Sequence, residues 1–250
     1  MDLDTITPIA QDYLKAIWSA TEWGDPPITT KALAERMGTT ASNVSDTLKR
    51  LAAQGLIQYQ PYKPVTLTPQ GAAYAIAMVR RHRLLESFLV TVLGYRWEEV
   101  HEEAERLEHA ASEAMIERID TLLDHPAADP HGDPIPTATG HLHRPADVIR
   151  LSHATPGSYT VARVSDADPH RLTRLREKNL VPGQALHITD RRRDGTITGR
   201  LDPPYGPIHL GPEETGAIWV TPTPGPLENH TSPAMQAKPC QKVTKGAPAA

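Results

Sequence analysis

The chain has one cysteine, Cys240, and one phenylalanine, Phe88, among 250 residues. A single thiol excludes an intrachain disulfide, a cysteine-rich zinc site and an iron–sulfur cluster. No apolar run approaches the roughly 20 residues needed to span a bilayer. The start, Met1-Asp2-Leu3-Asp4, is acidic and lacks the apolar stretch of a secretory signal. A cytoplasmic protein without a membrane partner is the expectation. Gly-x-Ser-x-Gly, a P-loop and a dinucleotide fingerprint are also missing, so nothing points to a small-molecule substrate.

What is present is 39% hydrophobic and 22% charged, a composition for one large globular domain or two to three small ones. The formal net charge of −4 conceals an asymmetry. Residues 28–95 carry eight Lys/Arg against three Asp/Glu, a net of +5, whereas residues 96–124 carry three against ten, a net of −7. A basic segment abutting an acidic one that contains histidine suggests a polyanion-binding part beside a cation-binding part.

Periodicity predicts a helix over 8–22, with Tyr13, Leu14, Ile17 and Trp18 as its apolar stripe. Thr29 or Thr30 is placed to cap a short helix closed by Gly38, and Thr40 to cap a second that Gly55 stops. This is a helix-turn-helix pattern. Leu56–Tyr59 and Val65–Leu67 read as a hairpin wing. Thr68-Pro69 opens a long helix ending at Gly94, and a further helical stretch runs from Trp97 to about Leu123, with a possible break at Ser112. Asp129-Pro-His-Gly-Asp-Pro-Ile-Pro136 reads as a linker or a wrapping loop. Four strands (159–164, 185–189, 196–201 and 217–220) and one helix near 172–178 are expected in a small β-rich unit.

The chemistry concentrates in His101-x3-Glu105-x2-Glu108-His109. These four side chains fall within about 100° on one helix face, at ~3.6 residues per turn. His82 and Glu86 form a second pair at i, i+4 on the preceding helix. Imidazole plus carboxylate without thiolate suits Mn²⁺, Fe²⁺, Co²⁺ or Zn²⁺. A metalloprotease is disfavoured because His101-Glu-Glu-Ala-Glu105 lacks the second histidine of His-Glu-x-x-His. Glu98–His101 supplies one Glu-x-x-His spacing of a di-iron bundle, with no mate elsewhere.

In the second helix of the helix-turn-helix, Thr40, Ser42, Asn43, Ser45 and Asp46 are candidates to reach bases and phosphates, flanked by Thr30 and Thr39. Asp46 is suited to accept from a cytosine amine. Lys49, Arg50 and Lys63, and further on Arg80, Arg81 and Arg83, are phosphate candidates.

In this order, with Met-Val-Arg-Arg-His-Arg-Leu-Leu-Glu at 78–86 and Trp-Glu-Glu-Val-His at 97–101, the chain resembles a family. It is that of the metal-dependent repressors typified by the diphtheria toxin repressor and the manganese transport regulators. The resemblance covers 8–140, and 153–221 is similar to that family's SH3-like (FeoA-type) third domain. It implies a mainly α fold with a small β part: a winged helix-turn-helix over 1–73, a helical metal-binding and dimerisation domain over 74–140, and a linker over 141–152. The SH3-like β-barrel domain would follow over 153–221, with a disordered tail over 222–250. Carried over residue by residue, His82, Glu86 and His101 match ancillary-site ligands, and Glu108 and His109 match primary-site ligands. Glu105 stands where iron-responsive members have cysteine, and Asp12 where they have methionine. Both replacements are those of manganese regulators. Asp166 or Asp168 is the candidate ligand from the third domain. Lys15 stands where small two-domain manganese regulators have glutamate, so their two-metal geometry does not carry over. The implied function is a dimeric, manganese-dependent repressor of double-stranded operator DNA, with an iron-dependent regulator as the alternative. A helical-bundle metalloenzyme and a metal-free protein–protein adaptor are rivals of other classes.

Overall fold

Side-chain caps set where most of the helices begin. Thr7, Thr29, Thr40 and Thr68 each accept a hydrogen bond from the backbone N–H three residues on. They open α1 (Pro8–Ser19), α2 (Thr30–Arg36), α3 (Ala41–Ala53) and α4 (Pro69–Thr91). α5 (Val100–Leu107) starts without a side-chain cap, and Ser112 caps α6 (Glu113–Leu122). Each such cap contributes about 1 kcal/mol by satisfying an N–H that the helix leaves unpaired. The computed structural model describes residues 3–61 and 63–223. Among the described residues, no helix is long and apolar enough to cross a membrane.

β1 (Ile57–Gln58) and β2 (Thr66–Leu67) pair antiparallel as the wing. Leu14, Leu33, Val44, Leu48, Leu51 and Leu56 form the core of this first unit, together with Tyr74, Ala75 and Met78 of α4. Gly71 permits the close approach of α4 to the wing, since a Cβ there would lie 1.9 Å from the Leu56 carbonyl oxygen. Further along, α4 supplies Leu84, Leu85 and Leu89 to a second core with Val100, Ala104, Ile116 and Ile119. One helix therefore belongs to two cores and holds them in register.

The third unit contains β3 (Ile149–Arg150), β4 (Gly157–Val164), α7 (Pro169–Glu177), β5 (Ala185–Arg191) and β6 (Ile197–Leu201). β7 (Pro207–Leu210), α8 (Pro212–Thr215) and β8 (Ile218–Pro222) complete it. The strands make one antiparallel sheet in the order β3-β8-β4-β5-β6-β7.

Several expectations are corrected. α1 stops at Ser19, because the chain turns so that Glu22 meets Arg83 and Trp23 donates to Asp133 at 2.7 Å. The stretch expected to be linker over 141–152 contributes β3, whose ladder with β8 uses backbone groups that composition cannot reveal. β7 escaped notice because Pro207-Ile-His-Leu is short and follows a Pro-Tyr-Gly turn, yet its residues alternate exposed and buried. Residues 129–136 wrap and do not link: Asp129, His131, Asp133 and Ile135 are buried. Arg80, Arg81 and Arg83 are not phosphate contacts, being buried and engaged internally. Arg80 binds Glu117 and Asp120, Arg81 binds Glu113 and the Glu108 carbonyl, and Arg83 binds Glu22 and the Pro134 carbonyl. The expected tail lies outside the described residues beyond Thr223, and Pro222 itself closes β8.

Candidate metal centre

Two donor clusters adjoin a cleft of about 720 Å³, which Lys15 and Glu105 line beside the first and His82, Glu86, His101 and Asp166 beside the second. The first joins α1 to the end of α5. Asp12, Glu108 and His109 bring ligand atoms within 4.8 Å of one another, as do His82, Glu105 and Glu108. Glu108, the residue that ends α5, is fully buried; its Oε2 meets His82 Nδ1 at 2.6 Å and its Oε1 contacts the Lys15 ammonium. Lys15 also donates to Glu105 Oε1 at 2.9 Å.

Gln11, which sequence reasoning missed, orients His109. Its Nε2 donates to the carbonyls of Leu3 and Ile6, so its Oε1 faces His109 Nδ1 at 2.8 Å. An amide oxygen only accepts, which puts a proton on Nδ1 and leaves Nε2 as the ring atom turned toward Asp12. That Nε2 lies 2.9 Å from Asp12 Oδ1, a buried oxygen with no hydrogen-bond partner. An imidazole nitrogen and a carboxylate oxygen at this spacing are placed to act as adjacent ligands of one cation. An outer partner that holds a histidine tautomer is a regular companion of metal ligation.

The second cluster joins α4 and α5 to the wrapping loop and the third unit. His82 Nε2 lies 3.0 Å from Glu86 Oε1 and 3.1 Å from His101 Nδ1. His101 Nδ1 is 3.2 Å from Glu86 Oε1 and 3.5 Å from Asp166 Oδ2. His131, also missed by the sequence reading, completes a Glu86–His131–Asp166 group. Its Nε2 donates to the Trp97 carbonyl at 2.7 Å, while its buried Nδ1 has no hydrogen-bond partner and faces Glu86 Oε2 at 3.6 Å. Gly132 makes this placement possible. Its φ of +89° is the left-handed region, and a Cβ would lie 2.1 Å from the Ala162 oxygen of β4. The sequence signal was available, in His-Gly between two Asp-Pro steps, but it read only as a turn. Of the two third-unit candidates, Asp166 is brought in. Asp168 instead caps α7 by accepting from His170 and Arg171 N–H.

Electrostatically the cleft demands positive charge. Burial works to lower the His82 pKa, but the Glu86 charge and the hydrogen bonds His82 donates to Glu108 and Glu86 outweigh it, pushing His82 up to about 10. For His131, burial is likewise outweighed by Glu86, then by Asp129 and Asp166, again to about 10. Burial raises the Asp12 carboxyl above its ordinary value, against His109 and Lys15. Burial would also raise Glu108 and Glu105; His82 and then Lys15 hold Glu108 low, and Lys15 holds Glu105 low. Converging oxygens and nitrogens, two orphaned buried donor atoms and carboxylates that draw positive charge to themselves fit a divalent cation.

The DNA-reading candidates belong to α2, α3 and the wing of the first unit. Ser42, Asn43, Asp46, Lys49 and Arg50 are exposed along α3, and Lys63 is exposed in the wing. Thr40 caps α3, Asn43 Nδ2 donates to Thr39 Oγ1 at 3.1 Å, and Ser45 Oγ donates to the Ala41 carbonyl at 2.9 Å. Lys49 and Asp46 pair at 2.9 Å. Thr30, half-buried, begins α2, the cap being Thr29. The first unit thus combines an exposed polar helix with residues, Asp12 and Lys15, that reach a donor cluster, the ingredients of a metal-dependent DNA-binding repressor.

Comparison with known proteins agrees. Residues 5–65 match the iron-dependent repressor N-terminal DNA-binding domain, and residues 68–137 match the iron-dependent repressor metal-binding and dimerisation domain. The chain belongs to this family, that of the diphtheria toxin repressor, whose members are metal-dependent transcriptional repressors and not enzymes. It is 34% identical over 198 residues to the iron-dependent repressor IdeR of Mycobacterium tuberculosis (strain ATCC 25618 / H37Rv), covering 74% of this chain and 86% of IdeR. It is 46% identical to a manganese-dependent transcriptional repressor solved in complex with manganese, at a TM-score of 0.81, covering 86% of this chain and all of that one. The manganese regulator SloR is 31% identical at a TM-score of 0.73, over 87% of this chain and all of SloR.

Proposed function

We propose that the chain is a cytoplasmic, manganese-responsive repressor that binds double-stranded operator DNA as a homodimer and controls manganese homeostasis genes. One observation carries the choice of metal: the first cluster consists of Asp12, Glu105, Glu108 and His109, oxygen and imidazole donors without sulfur. Hard donors favour Mn²⁺ relative to ions that gain more from thiolate or thioether. Asp12 belongs to the DNA-binding unit, and the other three to the α5 end. Holding one ion together, they would tie α1 to the dimerisation segment and restrict where α3 lies. When bound, the ion would supply positive charge to carboxylates that otherwise repel. His82, Glu86, His101, His131 and Asp166 would hold a second ion and tie the third unit to the same frame. The fixed pair of α3 helices then presents Ser42, Asn43 and Asp46 to bases, and Thr30, Thr39, Thr40, Ser45, Lys49, Arg50 and Lys63 to the flanking backbone. Val92, Leu93, Met115 and Leu122, exposed by 47%, 56%, 43% and 62%, are the apolar candidates for the dimer face.

The iron-responsive alternative draws on the IdeR similarity. Fluorescence anisotropy on the gene's own upstream DNA, titrating Mn²⁺, Fe²⁺ (anaerobically), Zn²⁺ and Mg²⁺ separately, decides between them. Half-saturation by Mn²⁺ near its free cellular level, with Fe²⁺ ineffective near its own, supports the manganese reading. The reverse assigns iron, and binding indifferent to all four ions sinks both.

A further inference from the structure

Lys15 is 6% exposed, and it reaches from α1 into the first cluster. It stands three residues after Asp12, on the same face of the helix. Its ammonium donates to Glu105 Oε1 at 2.9 Å and touches Glu108 Oε1, and these carboxylates belong to the donor groups described above. A divalent ion needs those same oxygens. Two positive centres cannot share them at hydrogen-bond distance, because their mutual repulsion at that spacing outweighs what either gains. From these contacts we infer that Lys15 is a tethered competitor: its ammonium and the metal ion are alternative occupants of the Glu105–Glu108 pair, so Lys15 sets the metal concentration at which α1 is tied to α5. This rests on the metal-responsive reading.

The geometry provides both states. With the ammonium in place, buried Glu108 keeps a partner for each oxygen, Lys15 on one and His82 on the other. On displacement the four-carbon stem has somewhere to go, since Lys15, Glu102 and Glu105 all line the open cleft. Glu102 is exposed one turn before Glu105 and offers the ammonium a solvated carboxylate. Displacing the same ammonium costs every ion equally. Lys15 therefore raises the threshold for all divalent cations while leaving their order to the ligands themselves.

The test is direct metal binding by the full chain, without DNA. Mn²⁺, Co²⁺ and Zn²⁺ are titrated calorimetrically into wild type, Lys15→Met and Lys15→Gln. If the carboxylate pair is ammonium-bound nine times in ten, removing the ammonium tightens first-cluster binding about tenfold. The gain should be equal for the three ions and absent at the second cluster. Should both variants fail to fold without metal, amine acylation of the wild type followed by peptide mass spectrometry still decides: Lys15 is protected without metal and becomes reactive on adding Zn²⁺. Unchanged or weaker metal affinity in both variants, or equal protection of Lys15 with and without Zn²⁺, overturns the competitor role while leaving the repressor reading intact. Wild-type protein that binds none of the three ions overturns both.

Discussion

The two donor clusters share His82 and the α4–α5 frame, yet each fastens a different part of the chain to it. The first draws Asp12 and Lys15 of the DNA-binding unit against Glu105, Glu108 and His109. The second draws His131 of the wrapping loop and Asp166 of the third unit against Glu86 and His101. The first is oxygen-rich and balanced by an ammonium, whereas the second is imidazole-rich and balanced by protons, with His82 and His131 pushed up to about 10. The same demand for positive charge is thus met by two different stand-ins. An ion entering the first must move a side chain, and one entering the second must expel protons.

The largest effect should come from Glu108→Ala, which breaks the first cluster and the link to His82 together. Metal-dependent DNA binding should be lost with every ion, read by anisotropy. Leaving Lys15 and His82 buried without this partner should lower metal-free stability by about 3 kcal/mol in urea titrations. Normal Mn²⁺-dependent DNA binding by this variant would remove the first cluster from the mechanism.

Asp12→Met with Glu105→Cys alters the first cluster and leaves the second cluster's own donors in place. Sulfur donors gain more from later, softer ions, so the affinity ratio of Co²⁺ or Ni²⁺ to Mn²⁺ should rise tenfold or more, on the order of 1.4 kcal/mol. An unchanged ratio would mean that neither side chain touches the ion.

Proton release separates the clusters further. Both His82 and His131 have raised pKa values and are protonated at neutral pH without metal, whereas ligation requires them neutral. Metal affinity at the second cluster should therefore rise with pH up to about 10 and fall toward acid, by up to about tenfold per pH unit for each proton displaced. Calorimetry in two buffers of different ionisation enthalpy counts those protons. A count near zero would contradict the imidazolium balance.

The smallest effect on DNA binding is expected from His131→Ala. It should remove or weaken one bound ion while the Mn²⁺ response persists, shifted by several-fold, roughly 1 kcal/mol. Silencing as complete as that of Glu108→Ala would show that the clusters act as a single unit.

How much of this was legible beforehand differs between kinds of residue. Helix starts at Thr40, Thr68 and Ser112 follow from hydrogen bonds made within one turn, so local spelling suffices. The helix-turn-helix and wing followed from apolar spacing and turn glycines, and His101, Glu105, Glu108 and His109 from sharing one helical face. Resemblance added Asp12 and suggested Asp166, neither of which spacing could have supplied. Arg80, Arg81 and Arg83 were misread because charge alone does not name a partner. All three are turned inward by acceptors 27 to 61 residues away in sequence. His131 and Gln11 were invisible for a related reason. One becomes a candidate donor only when a glycine lets the wrapping loop lie on β4, and the other an orienting residue only when α1 packs beside the end of α5. Local hydrogen bonds and periodicity thus determine the elements and one donor face. Which charges meet, and whether an ammonium, a proton or a metal ion balances them, is decided by tertiary packing, because only packing removes the water that would otherwise screen each group separately.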